Sequence, residues 1–593
     1  MNLKDALMKA FAEKGETLSL KNENDRKRVV LARGNKGKKQ VVVVKYGKSE
    51  GRRLVSPKKE VEQTNKIDIK GSSESVSNKA TVKPIVQSKS QASTGVLPVE
   101  KPVIVSKSAL KVLVDKDAKC LVSVSDKHSS QLLKINAALA VKENIDEIAK
   151  PEIHEMAFGL DFGTSSVKVV VGDMAADKAY AVPFLDAKGI DAYLLPSRVF
   201  ESTSNHDDFA HGFSLDVGET VFRDLKLSLL ANPDSIDQQL EVIAFLALVI
   251  QHSRAWFFQT HASIYKRVKC LWQLRIGLPA ATALDNKFVP LLERIVRAAW
   301  QIAALEGNFD RSQVKHFRDH AFENLPCDDD PEVRVIPEIA AQIFGFVASS
   351  SFDKKAANRY LMVDVGAGTV DASLFKVIPA RGGKWSFEFY TAVVQPYGVS
   401  NLHAYRTDWW LSKLLGIDEA QHLSDQLRET KFATALGARL PVHNRDYFSD
   451  VKLIGNDPDK ADEEFFDKKL MSQVQGSTLW RAMKDGFLTK EQLSNIPMFL
   501  CGGGSRSPFY LELEKKLQRM PGFTWLSTDP WQLGFPGDLE MIDIDEFDFD
   551  RLSVAYGLSK VDVGEITQAV PLPKVHIDPQ ESFTNRYIDK DQT

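Results

Sequence analysis

Apolar positions along this chain follow two alternating rhythms. Residues 158–171 and 360–377 are β-rich runs that break at a glycine turn and resume beyond it, which predicts two strand–turn–strand hairpins. Between and after them, residues 237–258, 288–305 and 509–517 carry helical apolar spacing. The longest uninterrupted apolar run, 242–250, is nine residues; it is too short to span a bilayer and reads as one face of a buried helix. Near the start, Leu3, Leu7 and Phe11 recur at helical spacing, and runs at 28–33 and 40–45 flank Gly34-Asn-Lys-Gly37. Together they predict a helix and a β-hairpin within a basic arm of residues 1–48. Residues 49–100 shift to Ser, Lys, Gln, Thr and Val with no periodicity and no aromatic residue. Such a segment cannot bury enough apolar surface to offset its ordering entropy and reads as a disordered linker. Apolar content returns over 101–150, a small module or a docking arm. The repeated grammar of the body predicts an α/β fold used twice, with one lobe over 156–345 and a second over 346–540 facing each other across a cleft.

Composition narrows the function classes. With 593 residues, 43% hydrophobic and 26% charged, the chain is ordinary globular protein and exceeds a single small binding module. The net charge of -2 hides an asymmetry: residues 1–150 carry +14 and residues 151–593 carry -16. Four cysteines, with no C-x-x-C pair, indicate neither a disulfide framework nor a zinc site. Charged residues interrupt the first twenty positions, so no secretory signal is read there. A cytoplasmic protein without a membrane partner is expected.

The turns carry the chemistry. In Gly159-Leu-Asp161-Phe-Gly163-Thr164-Ser165-Ser166-Val-Lys168, an acid ends one strand and a Gly-Thr-Ser turn follows. This sets a carboxylate beside exposed N–H groups and hydroxyls, a combination suited to a Mg²⁺-polyphosphate. Lys168 reads as a solvent-facing strand residue. Leu361-Met-Val-Asp364-Val-Gly366-Ala367-Gly368-Thr369-Val-Asp371 repeats the pattern about two hundred residues later and adds a second acid. Two such hairpins can clamp a phosphate tail from opposite sides. A third element, Cys501-Gly502-Gly503-Gly504-Ser505-Arg506, runs from an apolar strand into a helix. Its glycines admit a flat ligand to the backbone, and an arginine can stack on a purine.

In this order the three motifs resemble the actin, heat-shock chaperone and sugar-kinase superfamily of ATPases, and most closely the nucleotide-binding domain of the 70-kDa, DnaK-type heat-shock chaperones. Leu195-Pro196-Ser197-Arg-Val-Phe200, Val221-Phe-Arg-Asp-Leu-Lys226, Arg275-Ile-Gly-Leu-Pro279-Ala280 and Arg334-Val-Ile-Pro-Glu338 look like further segments of that domain. Val554-Ala-Tyr-Gly557 resembles its closing helix, assigned here to 541–562 ahead of a C-terminal tail at 563–593. The resemblance covers about residues 156–562 and implies a duplicated actin-like, ribonuclease H-like ATPase fold with two lobes around a nucleotide cleft. It implies ATP and Mg²⁺ as ligands, with slow hydrolysis to ADP and phosphate. Asp161 and Asp364 would hold the water shell of Mg²⁺. Thr164, Ser165 and Thr369, with the turn residues Gly163, Gly366, Ala367 and Gly368, would contact the β- and γ-phosphates. Lys226 would steady the γ-phosphate and the attacking water, Glu338 and Asp371 would order water and metal, and Gly502, Gly503, Gly504 and Arg506 would cradle adenosine.

The sequence also departs from that family. The segment nearest to its adenine-gripping helix is Arg428-Glu429-Thr430-Lys431, which begins with Arg instead of an acid. A usual glycine pair is replaced by Tyr397-Gly398-Val399-Ser400-Asn401, leaving Gly398 to approach phosphate. The 36 residues after Gly557 are too few for the family's peptide-binding domain and lid. The expected function is therefore an ATP-dependent switch whose client or protein partner binds outside the ATPase domain. An alternative gives the basic stretch 26–59 the main role, as a contact for DNA or RNA or an arm docking on the acidic stretch 538–550. A small-molecule kinase and an actin-like filament protein are lesser alternatives.

Overall fold

The computed structural model describes residues 111–570 except 116, 125–130, 142–150, 203–208, 212–219, 285–287, 306, 327–329, 350–351, 431–437, 456, 519–524 and 561–562; ahead of these it describes 17–19, 29–32 and 43–44. The helix expected through Leu3, Leu7 and Phe11, the linker 49–100 and everything from 571 onward lie outside the described residues. The chain divides into two compact units, residues 2–109 and residues 110–593. In the first, Thr17–Ser19, Val29–Ala32 and Val43–Val44 form an antiparallel sheet in that order. The runs read at 28–33 and 40–45 thus pair with each other, and a third strand precedes them.

The second unit is mixed α/β and contains two large sheets. The first is built from β1 (Glu152–Phe162), β2 (Ser166–Asp173), β3 (Lys178–Ala181), β4 (Val268–Leu278) and β5 (Glu332–Pro337); the second from β6 (Arg359–Val365), β7 (Val370–Pro379), β8 (Trp385–Gln395), β9 (Ile496–Cys501) and β10 (Thr528–Trp531). Their orders are β5-β4-β1-β2-β3 and β10-β9-β6-β7-β8. In each, the first three strands form an antiparallel meander, and the last two run parallel to the first strand and to each other. Leu195–Pro196 also pairs with β2 in the first sheet, and a further strand closes each sheet at the same edge, where the halves exchange chain. β11 (Leu539–Glu540) pairs parallel with β3 of the first sheet, and β12 (Val563–Gln568) pairs parallel with β8 of the second. Residues 539–540 therefore belong to the first sheet, and 563–568 form a strand where a C-terminal tail is expected. Edge pairing uses backbone groups, so such short strands leave no side-chain pattern to read.

Six helices matter for the site: α1 (Ile236–Thr260), α2 (Phe288–Ala303), α3 (Glu338–Gln342), α4 (Val399–Leu414), α5 (Pro508–Gln518) and α6 (Ser553–Lys560). α1 starts where the Ser235 hydroxyl accepts from the Gln238 N–H. It is apolar nearly all round, as a helix enclosed in a core must be. By length and composition it is suited to crossing a bilayer, yet 89% of its most apolar window is buried inside the protein. α1 and α2 cover the first sheet; α5 and the wide helix Phe466–Trp480 cover the second. α6 returns to β1 and β2 and touches α3 backbone to backbone. A Cβ on Gly557 would lie 1.8 Å from the Ala341 carbonyl oxygen, so only glycine fits that crossing.

The described parts of 111–141 touch both halves. Lys111–Val114 pairs antiparallel with Val451–Ile454, and Ser123–Val124 with Ala438–Arg439, on the half that carries the second sheet. Leu132 then bridges Leu185, and Ala137–Val141 packs on α1, on the half that carries the first.

Candidate functional site

The β1–β2 and β6–β7 hairpins turn their tips toward one cavity of about 430 Å³. The first tip is backed by Ser197, whose N–H donates to the Ser165 carbonyl at 3.0 Å and whose hydroxyl donates to the Gly163 carbonyl at 2.7 Å. In the second, the Gly366 N–H donates to the Thr369 carbonyl at 2.8 Å. The start of α4 braces it: the Ser400 N–H donates to the Ala367 carbonyl at 2.8 Å, and the Asn401 amide donates to the Gly368 carbonyl. β9 enters the third tip at Gly502, whose φ is +84° and whose added Cβ would stand 2.0 Å from Asp364 Oδ1. That position excludes every residue but glycine.

Behind the tips lies a cluster of four carboxylates. Strand register sets the partners: Asp161 faces Lys168 across the first hairpin, and Asp364 faces Asp371 across the second. Lys168 Nζ donates to Asp161 Oδ2 at 2.9 Å with both side chains nearly buried, so Lys168 is not the solvent-facing residue expected. Lys226, from the short helix Leu225–Ala231, donates to Glu338 at the start of α3. Asp371 accepts from the Ala280 N–H at 2.7 Å and from the Ser373 hydroxyl at 2.8 Å.

The electrostatics follow from burial. The Asp364 carboxyl is pushed up to about 7, first by desolvation and then by the charges of Glu338, Asp161 and Asp371, against which Lys168 pulls. Asp371 is likewise raised to about 7, mainly by desolvation, while its hydrogen bonds from Ala280 and Ser373 oppose the shift. Burial also raises Glu338, and Lys226 counters it. The site is thus a strained anionic pocket that a cation, or a proton, relaxes.

Most residues singled out from the sequence line this cavity. Asp161, Gly163, Thr164 and Ser165 come from the first hairpin, and Asp364, Gly366, Ala367, Thr369 and Asp371 from the second. Lys226, Glu338 and the glycines 502–504 complete the wall. Three residues stand elsewhere. Gly368 lines a smaller neighbouring cavity. Gly398 caps α4, where an added Cβ would come within 2.5 Å of the Ala367 carbonyl, so it supports the second tip from behind. Arg506 turns to the acidic stretch, pairing with Asp548, Asp550 and the Phe547 carbonyl, and does not line the cavity. Arg551 lies there instead, its Nε 2.8 Å from where a Cβ on Gly503 would be.

The sequence also left Arg406, residues 440–442 and Gln342 unread, although all line the cavity. Arg406 is fixed by Asp462 at 2.7 Å and donates to the carbonyls of Pro441 and Val442 at 3.0 Å. Arg428, the expected start of an adenine grip, is exposed and pairs with Asp425 on its own helix; Lys431 lies outside the described residues. Of the basic stretch 26–59, only 29–32 and 43–44 are described. Within the acidic stretch offered as its dock, Asp548 and Asp550 hold Arg506, and Asp538 holds Lys560 at 2.6 Å and Tyr556 at 2.8 Å.

The donor set fits a metal-bound polyphosphate. Among the described residues no three His, Cys, Asp or Glu side chains converge as a direct metal site. A divalent cation would therefore be held by Asp161 and Asp364 through water and phosphate oxygens. Ser166 Oγ and Gln342 Oε1 line the cavity without a partner among the described residues, as polar atoms awaiting a ligand do. Neither any family model nor any curated protein matches the sequence.

Proposed function

We propose that the cleft binds Mg²⁺-ATP and hydrolyses it slowly, and that the chain acts as a nucleotide switch read by a protein partner or client. One observation carries this reading: two glycine tips, from sheets of the same strand order, meet across a single cavity with Asp161 and Asp364 behind them. The repeated order supports a duplicated actin-like, ribonuclease H-like ATPase fold, related to the nucleotide domain of the 70-kDa heat-shock chaperones. The alternative reading, DNA or RNA held by the basic stretch 26–59, rests on residues that lie mostly outside the described ones.

The chain's own groups suffice for the chemistry, because phosphoryl transfer to water asks chiefly for positioning and charge neutralisation. Backbone N–H groups and hydroxyls of 163–165 and 366–369 bind phosphate oxygens, and Mg²⁺ supplies neutralisation of their charge. Lys226, steered by Glu338, sets a positive charge beside the terminal phosphate. The oxygen of the attacking water bonds to phosphorus as the bond to the bridging oxygen breaks, releasing ADP. The water's proton passes to Asp371, whose affinity for protons near neutrality matches the task. Closure of the halves around the terminal phosphate is the switching element, and residues 111–141, tied to both, carry it to the partner.

Single-turnover hydrolysis of Mg²⁺-ATP tests this reading. The wild type turns over, and Asp364→Asn falls about 10²–10³-fold, the cost of losing one preorganised charge contact. A wild type that neither binds nor hydrolyses Mg²⁺-ATP overturns it.

A further inference from the structure

Behind the two tips lies a second cavity of about 180 Å³, and it shares Thr164, Ser165, Ala367 and Ser400 with the first. Its far wall carries two arginines brought together by strand register. Val199–Glu201 and Thr220–Phe222 pair antiparallel with Val199 opposite Phe222, so Arg198, just before one strand, and Arg223, just after the other, meet at the same end. Like charges facing across a strand pair repel. Burial and the charge of Arg223 together hold the Arg198 guanidinium down, at about 10. The Arg198 guanidinium also lies over the Phe200 ring, 5.7 Å from its centre. Arg223 Nε is buried without a partner among the described residues. Among the described residues of the lining, Asp224 is the one carboxylate.

We propose that this second cavity is a binding site for inorganic phosphate, held by the guanidinium groups of Arg198 and Arg223 on the far side of the two glycine tips. Guanidinium groups bind a tetrahedral dianion through paired N–H donors, and the ion relieves the repulsion that the fold builds between them. Only the tips separate it from the terminal phosphate of a bound nucleotide, so the ion it takes is the product of hydrolysis in the larger cavity; in that respect the inference rests on the function proposed above. The site then governs when phosphate leaves.

Calorimetric titration of the nucleotide-free full chain with inorganic phosphate tests the site by itself. The wild type binds one phosphate; Arg223→Gln weakens binding at least 10-fold while Mg²⁺-ATP affinity stays within threefold. Arg223→Lys, which keeps the charge and loses the fork, weakens phosphate binding at least threefold and carries the test if the glutamine variant melts early. No phosphate binding by the wild type, or unchanged affinity in the folded variants, overturns the proposal. Asp364→Asn separates the two readings. Arg223-dependent phosphate binding that persists in Asp364→Asn supports the site, even where the wild type fails to hydrolyse ATP and the hydrolase reading falls. Hydrolysis with phosphate affinity and release unchanged in Arg223→Gln removes the site and leaves the hydrolase reading standing.

Discussion

The two hairpins at the cleft are topological copies with opposite electrostatics. In both, an aspartate ends the first strand and a residue at the same register position faces it on the second. In the first hairpin that residue is Lys168, and the pair neutralises itself at 2.9 Å. In the second it is Asp371, and both carboxyls are raised to about 7, first by desolvation and then by the charges of neighbouring carboxylates. The same backbone thus yields one hairpin that is electrically complete and one that is not. The incomplete one is where a cation or a proton would relieve the site.

Removing the neutral pair breaks the comparison most severely. Lys168→Met leaves Asp161 buried and uncompensated beside Glu338 and Asp364, which costs about 3–5 kcal/mol of folding stability. Urea melts of the nucleotide-free chain measure it, and a loss below about 1 kcal/mol would mean that the pair is not what separates the hairpins. The opposite change in the second hairpin has the opposite sign. Asp364→Asn removes one of two repelling carboxyls and raises stability by about 1–3 kcal/mol while turnover collapses. Stability and activity moving together in that variant would contradict an unrelaxed acidic pair.

The pH dependence sharpens the same contrast. Asp364 and Asp371 have ordinary values of 3.8 raised to about 7 in the fold. Between these limits the native state binds more protons than the unfolded state, so their contribution to stability falls as pH rises from about 4 to 7 and is level above that. The wild type should therefore lose stability relative to Asp364→Asn across this window in the absence of divalent cations. Mg²⁺ with nucleotide flattens the difference. A constant gap between wild type and variant from pH 4 to 8 would remove the repulsion from the account.

What the sequence made legible follows from range. A strand, an acid and a glycine turn are local, so Asp161, Asp364, Thr369 and the glycines at 502–504 could be read directly, and so could the long apolar helix around 237–258. Lys168 was misread because its partner is set by register across a hairpin, and one apolar–polar pattern fits either face of a strand until the pairing is known. Arg406 and Arg551 were missed because each reaches the cavity from a remote part of the chain, held by Asp462 or seated against Gly503. The exchanged edge strands β11 and β12 were missed for a different reason: backbone pairing at a sheet edge imposes little on side chains.

The arginines at the third tip differ on a smaller scale, one held in ion pairs away from the cavity and one lining it. Arg506 is the residue that sequence points to, yet its guanidinium is shared between Asp548 and Asp550 and is partly open to water. Arg551 is half-buried against the glycine tip and lines the cavity, and desolvation pulls its guanidinium down from the usual arginine value against the charges of Asp550, Asp191 and Asp548. A group already paired gains little from a ligand, whereas a desolvated cation beside a flat pocket gains a stacking or anionic partner. Arg551→Gln should therefore weaken Mg²⁺-ATP binding by about 10-fold, or about 1.4 kcal/mol. Arg506→Gln should change it less than threefold and lower stability by no more than about 1 kcal/mol. Fluorescent-nucleotide titrations of the two variants measure the difference. If Arg506→Gln has the larger effect, the acidic stretch releases it when nucleotide arrives, and Asp548→Asn with Asp550→Asn would then tighten binding by freeing the same side chain.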